Sequence, residues 1–380
     1  MKRFLLFLLA ALCLAGCHNP EREAQRRQVV LMYLAGNNSL SSEGEADYAG
    51  IKKSWLPREK DREQIFLVFH HFIDQAPVLK RLYQDRQGNT IEEIITEYPF
   101  NANSADPSML ATVIADAEAA WPAARHGMIL WSHASGFLPA GYYSDPKEQA
   151  RDIGPMSFGE DHGAEMELSD LRNALSRYHY EFILLDCCLM ANVEVAYELR
   201  NCGDYLVFSP TEILSDGFPY ESIIQPLFTL SAEESAKQVC RSYMEQYRAQ
   251  SGPYQSATIT MVRSASLNAL AAACKPIFQQ HREQILTIDR SRIQPYFRFN
   301  KHWYYDLDDF VGRVATDAEY RAFIAALDQA VIFKDATESF LSIDITHYSG
   351  LSIYIPRPEY TVLNNFYKTL QWNQATGLIQ

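Results

Sequence analysis

No low-complexity tract and no repeat at a solenoid period occur in this 380-residue sequence, so stacked-repeat architectures are set aside. Positive charge is in deficit: 34 Lys and Arg stand against 47 Asp and Glu, a formal net charge of −13. Nucleic acid rewards basic patches, so no nucleic-acid partner is expected. Cysteine is sparse, with seven residues and no C-x-x-C pair. The usual dithiol redox motif and the close-spaced zinc knuckle are therefore missing. The acidic stretch Asp306, Asp308 and Asp309 lacks the spacing and glycine of an EF-hand loop, and reads as a solvated or helix-capping turn. No metal ligands are assigned; the Asp161-His162 and His70-His71 steps read as polar loop or strand-edge residues.

What is present begins at the N-terminus. Lys2 and Arg3 precede an apolar run from Phe4 to Leu14 and then small residues. This is a secretory signal, too short to anchor in a bilayer. Its ending, Leu14-Ala15-Gly16-Cys17, resembles a bacterial lipobox, which makes Cys17 the expected lipidation site; an ordinary signal peptide with a chance cysteine is the alternative. The expected organisation is a signal peptide over 1–16, a polar tether over 17–27, a core over 28–228 and a mainly helical region with strands completing the fold over 229–380. The product would be an exported lipoprotein of a bacterial cell envelope, touching the membrane through its lipid alone. Removing residues 1–16 also removes Cys13, and acylation uses Cys17. Cys187, Cys188, Cys202, Cys240 and Cys274 remain. Five thiols cannot all pair, so an exported protein with this set needs a reason for a free one.

Along the body, apolar runs at 29–34, 64–72, 126–133, 181–186 and 204–209 alternate with helical patterns. Asp106 and Pro107 form a helix start, Ser169 reads as a second cap, and another helix is expected over "MANVEVAYEL". A hairpin is expected around Gly88-Asn89. Strand and helix alternation with uninterrupted apolar strands predicts a mostly parallel sheet covered on both faces, with a helix-rich C-terminal region that returns strands at "SATITMV" and "GLSIYIP". In such sheets ligands bind beyond the carboxyl ends of the strands. His133 and the Cys187-Cys188 pair both fall at such ends, with His133 upstream by 55 residues. A thiolate is the reactive form of cysteine, and a nearby imidazole can take its proton and later pass it to a leaving amine. A vicinal disulfide would be strained and rare.

The segments "MYLAGNNSL", "HGMILWSHASGF", "LLDCCLMANVEVAYELR", "DYLVFSPTEILSDGFPY", "WYYDLDDF" and "GLSIYIP" occur in this order from Val29 to Tyr354. Together they resemble the clostripain family of cysteine peptidases, of the caspase-like clan. The resemblance implies a caspase-like α/β/α sandwich that cleaves peptide bonds after Arg or Lys. The family's D-x-C-L-M motif falls on Asp186 to Met190. It implies Cys188 as nucleophile, with Cys187 at the variable position, His133 as catalytic histidine and Asp186 as the acidic lining of the first specificity pocket (S1). The alternative for Asp186 is a helix N-cap.

The family usually carries Gly after the histidine, where Ala134 stands here. Its N–H and that of Cys188 are the expected oxyanion donors, and Ala is strained there if the position needs positive φ. A helix starting behind Cys188 would lower the thiol pKa. Self-cleavage is expected in the connection at Lys147 or Arg151. No cofactor is required by the residues; calcium, associated with some relatives, stays open. Partners would be proteins or peptides with basic residues, met by a monomer. The rival reading is an inactive caspase-like surface lipoprotein that binds peptides or glycans.

Overall fold

The computed structural model describes residues 20–143, 158–298 and 301–380. Cys17, Lys147 and Arg151 lie outside the described residues. In chain order the strands used below are β1 (Gln28–Gly36), β2 (Gln64–Phe72), β3 (Val78–Gln84), β4 (Thr90–Glu97), β5 (Arg125–Trp131), β6 (Phe158–Asp161), β7 (Ala164–Met166), β8 (Tyr180–Asp186), β9 (Gly203–Phe208), β10 (Thr258–Arg263), β11 (Tyr305–Asp306) and β12 (Val331–Ala336). Nine of them form one sheet in the order β12-β10-β9-β8-β5-β1-β2-β3-β4. The five central strands, β9 to β2, run parallel, and antiparallel strands extend both edges. The β3–β4 hairpin turns where expected: Asp85 accepts the N–H groups of Gln87 and Asn89, and Gly88 takes a φ of 86°.

The alternation of side chains along β1 divides the core. Val30, Met32 and Leu34 pack with residues of helices α2 (Ser41–Ile51), α6 (Tyr220–Thr229) and α7 (Ala232–Arg248). Val29, Leu31 and Tyr33 pack on the opposite face with α3 (Pro107–Ala120), α4 (Leu168–Leu175), α5 (Val193–Leu199) and α8 (Leu267–Gln280). A short helix, α1 (Pro20–Arg26), precedes β1. This is a three-layer α/β/α sandwich. Each fully buried large apolar side chain contributes roughly 1.5–3 kcal/mol, and the layers interlock through contacts such as the Tyr33–Phe69 ring stack at 4.4 Å.

Asp106 caps α3 through Ser108 N–H with Pro107 following, as expected. Ser169 does not cap α4: the cap position is Glu167, which makes no side-chain capping bond, and Ser169 lies inside the helix. The segment "GLSIYIP" pairs only briefly, Ser352–Ile353 with β11, away from the main sheet. It braces the chain beyond β8 instead: Ser352 N–H donates to Ala191 O (2.9 Å) and Tyr354 N–H to a Glu194 carboxylate oxygen (3.0 Å). The C-terminal region therefore buttresses the carboxyl end of β8.

Candidate active site

The register of β5 against β8 opposes Trp131 and Asp186 at the carboxyl edge. Two residues further on, the chains carry His133 and Cys188, and both line one cavity of about 800 Å³ together with Asp186, Ala134, Ile213 and Gly217. Adjacent parallel strands lie only about 4.8 Å apart, so the two segments leave the sheet as neighbours.

The strand alternation persists through the cysteine pair and sorts the two thiols. Cys187 is buried and donates to Leu130 O at 3.3 Å, inside the sheet. Cys188 is half-buried in the cavity, where Ile213 N–H approaches its sulfur at 3.4 Å. All five body cysteines are free thiols. The chain then reverses sharply. Leu189 adopts a φ of 62°, which costs a branched residue roughly 1–2 kcal/mol; such strain gathers at functional sites. Asn192 steadies the turn by donating to Leu189 O and accepting Val195 N–H, both at 2.9 Å, and so caps α5.

That cap corrects two expectations. The helix begins at Val193 rather than directly behind the sulfur, and the Asn192 side chain accepts its Val195 N–H. Burial pushes the Cys188 thiol up to about 12, against the smaller opposing pull of Ile213 N–H. The helix cap is also not Asp186. This buried carboxylate turns to the loop before α6, where its Oδ2 accepts Phe218 N–H (3.0 Å) and Tyr220 O–H (2.7 Å). Burial raises its pKa to about 6.

His133 is held from two sides. Ser39, in the turn after β1, places its hydroxyl 2.8 Å from Nε2. Gly159 N–H donates to His133 O (3.0 Å), and Ala134 bridges to Phe158, so β6 lies along the histidine segment. Burial lowers the imidazole pKa, with Glu160 and Glu43 opposing. Ala134 takes no positive φ, so its methyl group brings no backbone strain. The left-handed position is Gly136, with φ 66°, where a side chain would meet Leu189 O at 2.7 Å.

Asp161 and His71, unassigned from sequence, do meet. Asp161 is fully buried and accepts Ser104 N–H (2.7 Å), Ser104 O–H (2.8 Å) and Asn37 Nδ2–H (2.8 Å), with His162 Nδ1 at 2.6 Å and His71 Nδ1 at 3.1 Å. Burial pulls its pKa upward, but these partners hold it well below the usual carboxylate range. The group ties β6 to β1 and β2. At Asp306, the carboxylate caps the helix Leu307–Gly312 through Asp309 N–H and accepts Tyr296 O–H and Ser349 N–H. Asp308 faces His347 and Tyr320, and Asp309 pairs with Arg313. These carboxylates serve internal partners and do not fit a calcium cage. Among the described residues, no group of three or more His, Cys, Asp or Glu side chains is arranged to hold a metal ion.

Sequence reasoning missed Ser39, Asn192 and Asp47. Asp47 accepts Trp131 Nε1–H at 2.8 Å and stands three residues after Gly44 and one before Tyr48, on the face of α2 that is buried. A carboxylate in that apolar spacing was the available signal.

A thiol and an imidazole at neighbouring parallel-strand ends of an α/β/α sandwich define a cysteine peptidase of the caspase-like fold. The clostripain family profile matches residues 32–377, and the chain belongs to that family of cysteine peptidases. It is similar to an inactive zymogen C11 protease from Parabacteroides distasonis, with 32% identity and a TM-score of 0.80 over 92% of this chain and 97% of that one. It is also similar to a secreted C11 cysteine protease from Bacteroides thetaiotaomicron in complex with an irreversible peptide inhibitor. There the identity is 28% and the TM-score 0.78, over 92% and 98% of the two chains. No curated protein sequence matches. Among the described residues, no helix is long and apolar enough to cross a membrane.

Proposed function

We propose that the protein is an endopeptidase cutting after Arg or Lys through a Cys188–His133 dyad. The observation that carries this reading is the Trp131–Asp186 register, from which His133, Cys188 and the buried Asp186 come to line one cavity. The Ser39 hydroxyl lies 2.8 Å from Nε2 of His133; in the proposed tautomer Nε2–H donates to it, which leaves Nδ1 to act as base. Both partners rest uncharged, because burial raises the thiol pKa and lowers the imidazole pKa. Proton transfer then accompanies attack: sulfur bonds to the scissile carbonyl carbon as its proton passes to Nδ1. The Ala134 and Cys188 N–H groups receive the oxyanion. Collapse of that intermediate breaks the C–N bond, and His133 protonates the departing amine. Water, deprotonated by His133, then hydrolyses the thioester and returns the proton to sulfur. Asp186 meets the guanidinium or ammonium of the residue before the scissile bond (P1), an interaction that recovers the cost of a buried carboxylate.

Of the residues that flank the connection, Tyr143 lies on the cavity wall and Phe158 bridges to Ala134. Lys147 and Arg151 are the proposed self-cleavage positions; the similar protein from Parabacteroides distasonis is an inactive zymogen. A monomer is part of the same proposal. Export and acylation at Cys17 belong to the same proposal, supported by the lipobox-like ending and by a secreted relative. The chemistry draws on no cofactor, and the acidic turn at Asp306 is not proposed as a calcium site.

The test is hydrolysis of fluorogenic peptides with Arg, Lys or Asp at P1. Turnover of the Arg and Lys peptides, abolished in Cys188→Ala, is expected. Turnover that survives in Cys188→Ala overturns the dyad. No turnover of any peptide, even after nicking of the connection, favours a protein that only binds.

A further inference from the structure

Asp186 has an acidic neighbour, Asp47, which lines the adjoining cavity rather than the one that holds His133 and Cys188. Asp186 approaches from the end of β8, and Asp47 approaches from α2, held by the indole N–H of Trp131, which itself lines the cavity of His133 and Cys188. Gly217 separates the two carboxylates. A side-chain carbon there would stand 2.9 Å from Asp186 Oδ2 and 3.4 Å from Asp47 Oδ2. The backbone at Gly217 has a φ of 53°, so a side chain is disfavoured for strain as well as for space. The two carboxylates therefore approach one another across the space a side chain at Gly217 would fill.

We propose that Asp47 is a second specificity-determining residue, reaching across Gly217 to share the P1 cation with Asp186. This rests on the Arg/Lys peptidase reading above. A planar guanidinium, with donors on several edges, can reach both carboxylates at once, whereas an ammonium is a single point charge. Asp47 therefore favours Arg over Lys.

The surroundings hold a proton on Asp47. Burial, then the charge of Asp186, raise the Asp47 pKa to about 8; Trp131 opposes, while Asp216 and Glu43 add to the rise. The titratable groups facing Asp47 are acidic from every side: Glu43 on its own helix, Asp186 from β8, Asp216 from the loop, Glu221 and the Tyr220 phenol from α6, and the Tyr247 phenol from α7. Two buried carboxylates without a cation cannot both ionise cheaply. An arriving guanidinium reverses the balance and releases the proton. Binding of basic P1 residues should then strengthen as pH rises through about 8, the direction in which the carboxylate forms unaided.

The experiment is Asp47→Asn, whose amide oxygen can still accept the Trp131 N–H, assayed with Arg and Lys P1 peptides from pH 6 to 9. The expected result is a KM for the Arg peptide raised about tenfold at the alkaline end. The smaller effects are expected at the acidic end and with the Lys peptide, and the wild-type fall of KM with pH should flatten in the variant. An unchanged KM–pH profile in Asp47→Asn, with basic P1 preference still lost in Asp186→Asn, overturns the inference and leaves the peptidase reading intact. Absence of basic P1 preference in the wild type sinks the reading itself. If Asp47→Asn does not fold, calorimetric titration of the wild-type protein with arginine amide near pH 7, in buffers of different ionisation enthalpy, decides. Release of a proton supports the inference, and zero release overturns it.

Discussion

Asp161 and Asp186 are both buried carboxylates near the carboxyl edge of the sheet, and they behave oppositely. Asp161 has Ser104, Asn37, His162 and His71 around it, and its charge is stabilised within the fold. Asp186 has two donors, both on one oxygen, and its pKa is pushed up. A buried charge that is fully met holds a structure together; one that is half met is kept for something that arrives. Cys187 and Cys188 repeat the contrast in neutral form, one thiol buried and bonded to Leu130 O, the other half-buried in the cleft.

Exchanging the roles of the two aspartates would break the comparison. The largest effect expected is on activity: Asp186→Asn should lower kcat/KM for Arg P1 peptides by at least about 100-fold, as removal of a charge-assisted pair from a buried pocket implies. Asp161→Asn should instead lower stability by about 3 kcal/mol, since it sets an amide among buried donors, while the P1 preference of the folded fraction persists; urea unfolding and peptide assays read the two separately. The signs of pH dependence sharpen the point. Asp161 has a depressed folded pKa, so its contribution is present above the unfolded value near 4 and is lost as pH falls below it. Asp186 has a raised one, so the free protein loses stability as pH rises from the unfolded value near 4 to about 6 and does not regain it above. Asp186→Asn should therefore be more stable than wild type by about 2 kcal/mol at pH 8, with the gain fading as pH falls through 6 toward 4; denaturant midpoints at several pH values check this. The smallest effect expected is from Ser39→Ala, about three- to fivefold in kcat with KM little changed, restored by Ser39→Thr.

Much of this was legible in the sequence because uninterrupted apolar runs with turn residues at their ends specify buried parallel strands and where they stop. His133 and Cys188 could be brought to one edge on that ground alone. What stayed hidden depends on tertiary pairing. The hairpin β6–β7 lies in a Gly- and Pro-punctuated connection whose pattern carries no period, and the Asp161 cluster exists only once that hairpin docks on β1. β12 follows the helix Asp317–Ala330 without a break in composition, so no separate strand is legible there. The expected helix behind Cys188 started too early because Asn192, an ordinary capping residue inside an apolar run, was not read as its cap. Ser39 carries no local signature of a partner and Asp47 only that of a carboxylate on a buried helix face; what they serve depends on His133 and Gly217, which are distant in sequence and adjacent in the fold.

The most direct measurement of the central claim is to treat the protein with a peptidyl chloromethyl ketone bearing Arg at P1 and to map the adduct by mass spectrometry. The account predicts alkylation of Cys188, with Cys187, Cys202, Cys240 and Cys274 unmodified and peptidase activity lost in proportion. An adduct on Cys187 instead, or stoichiometric alkylation of Cys188 with activity intact, would contradict it.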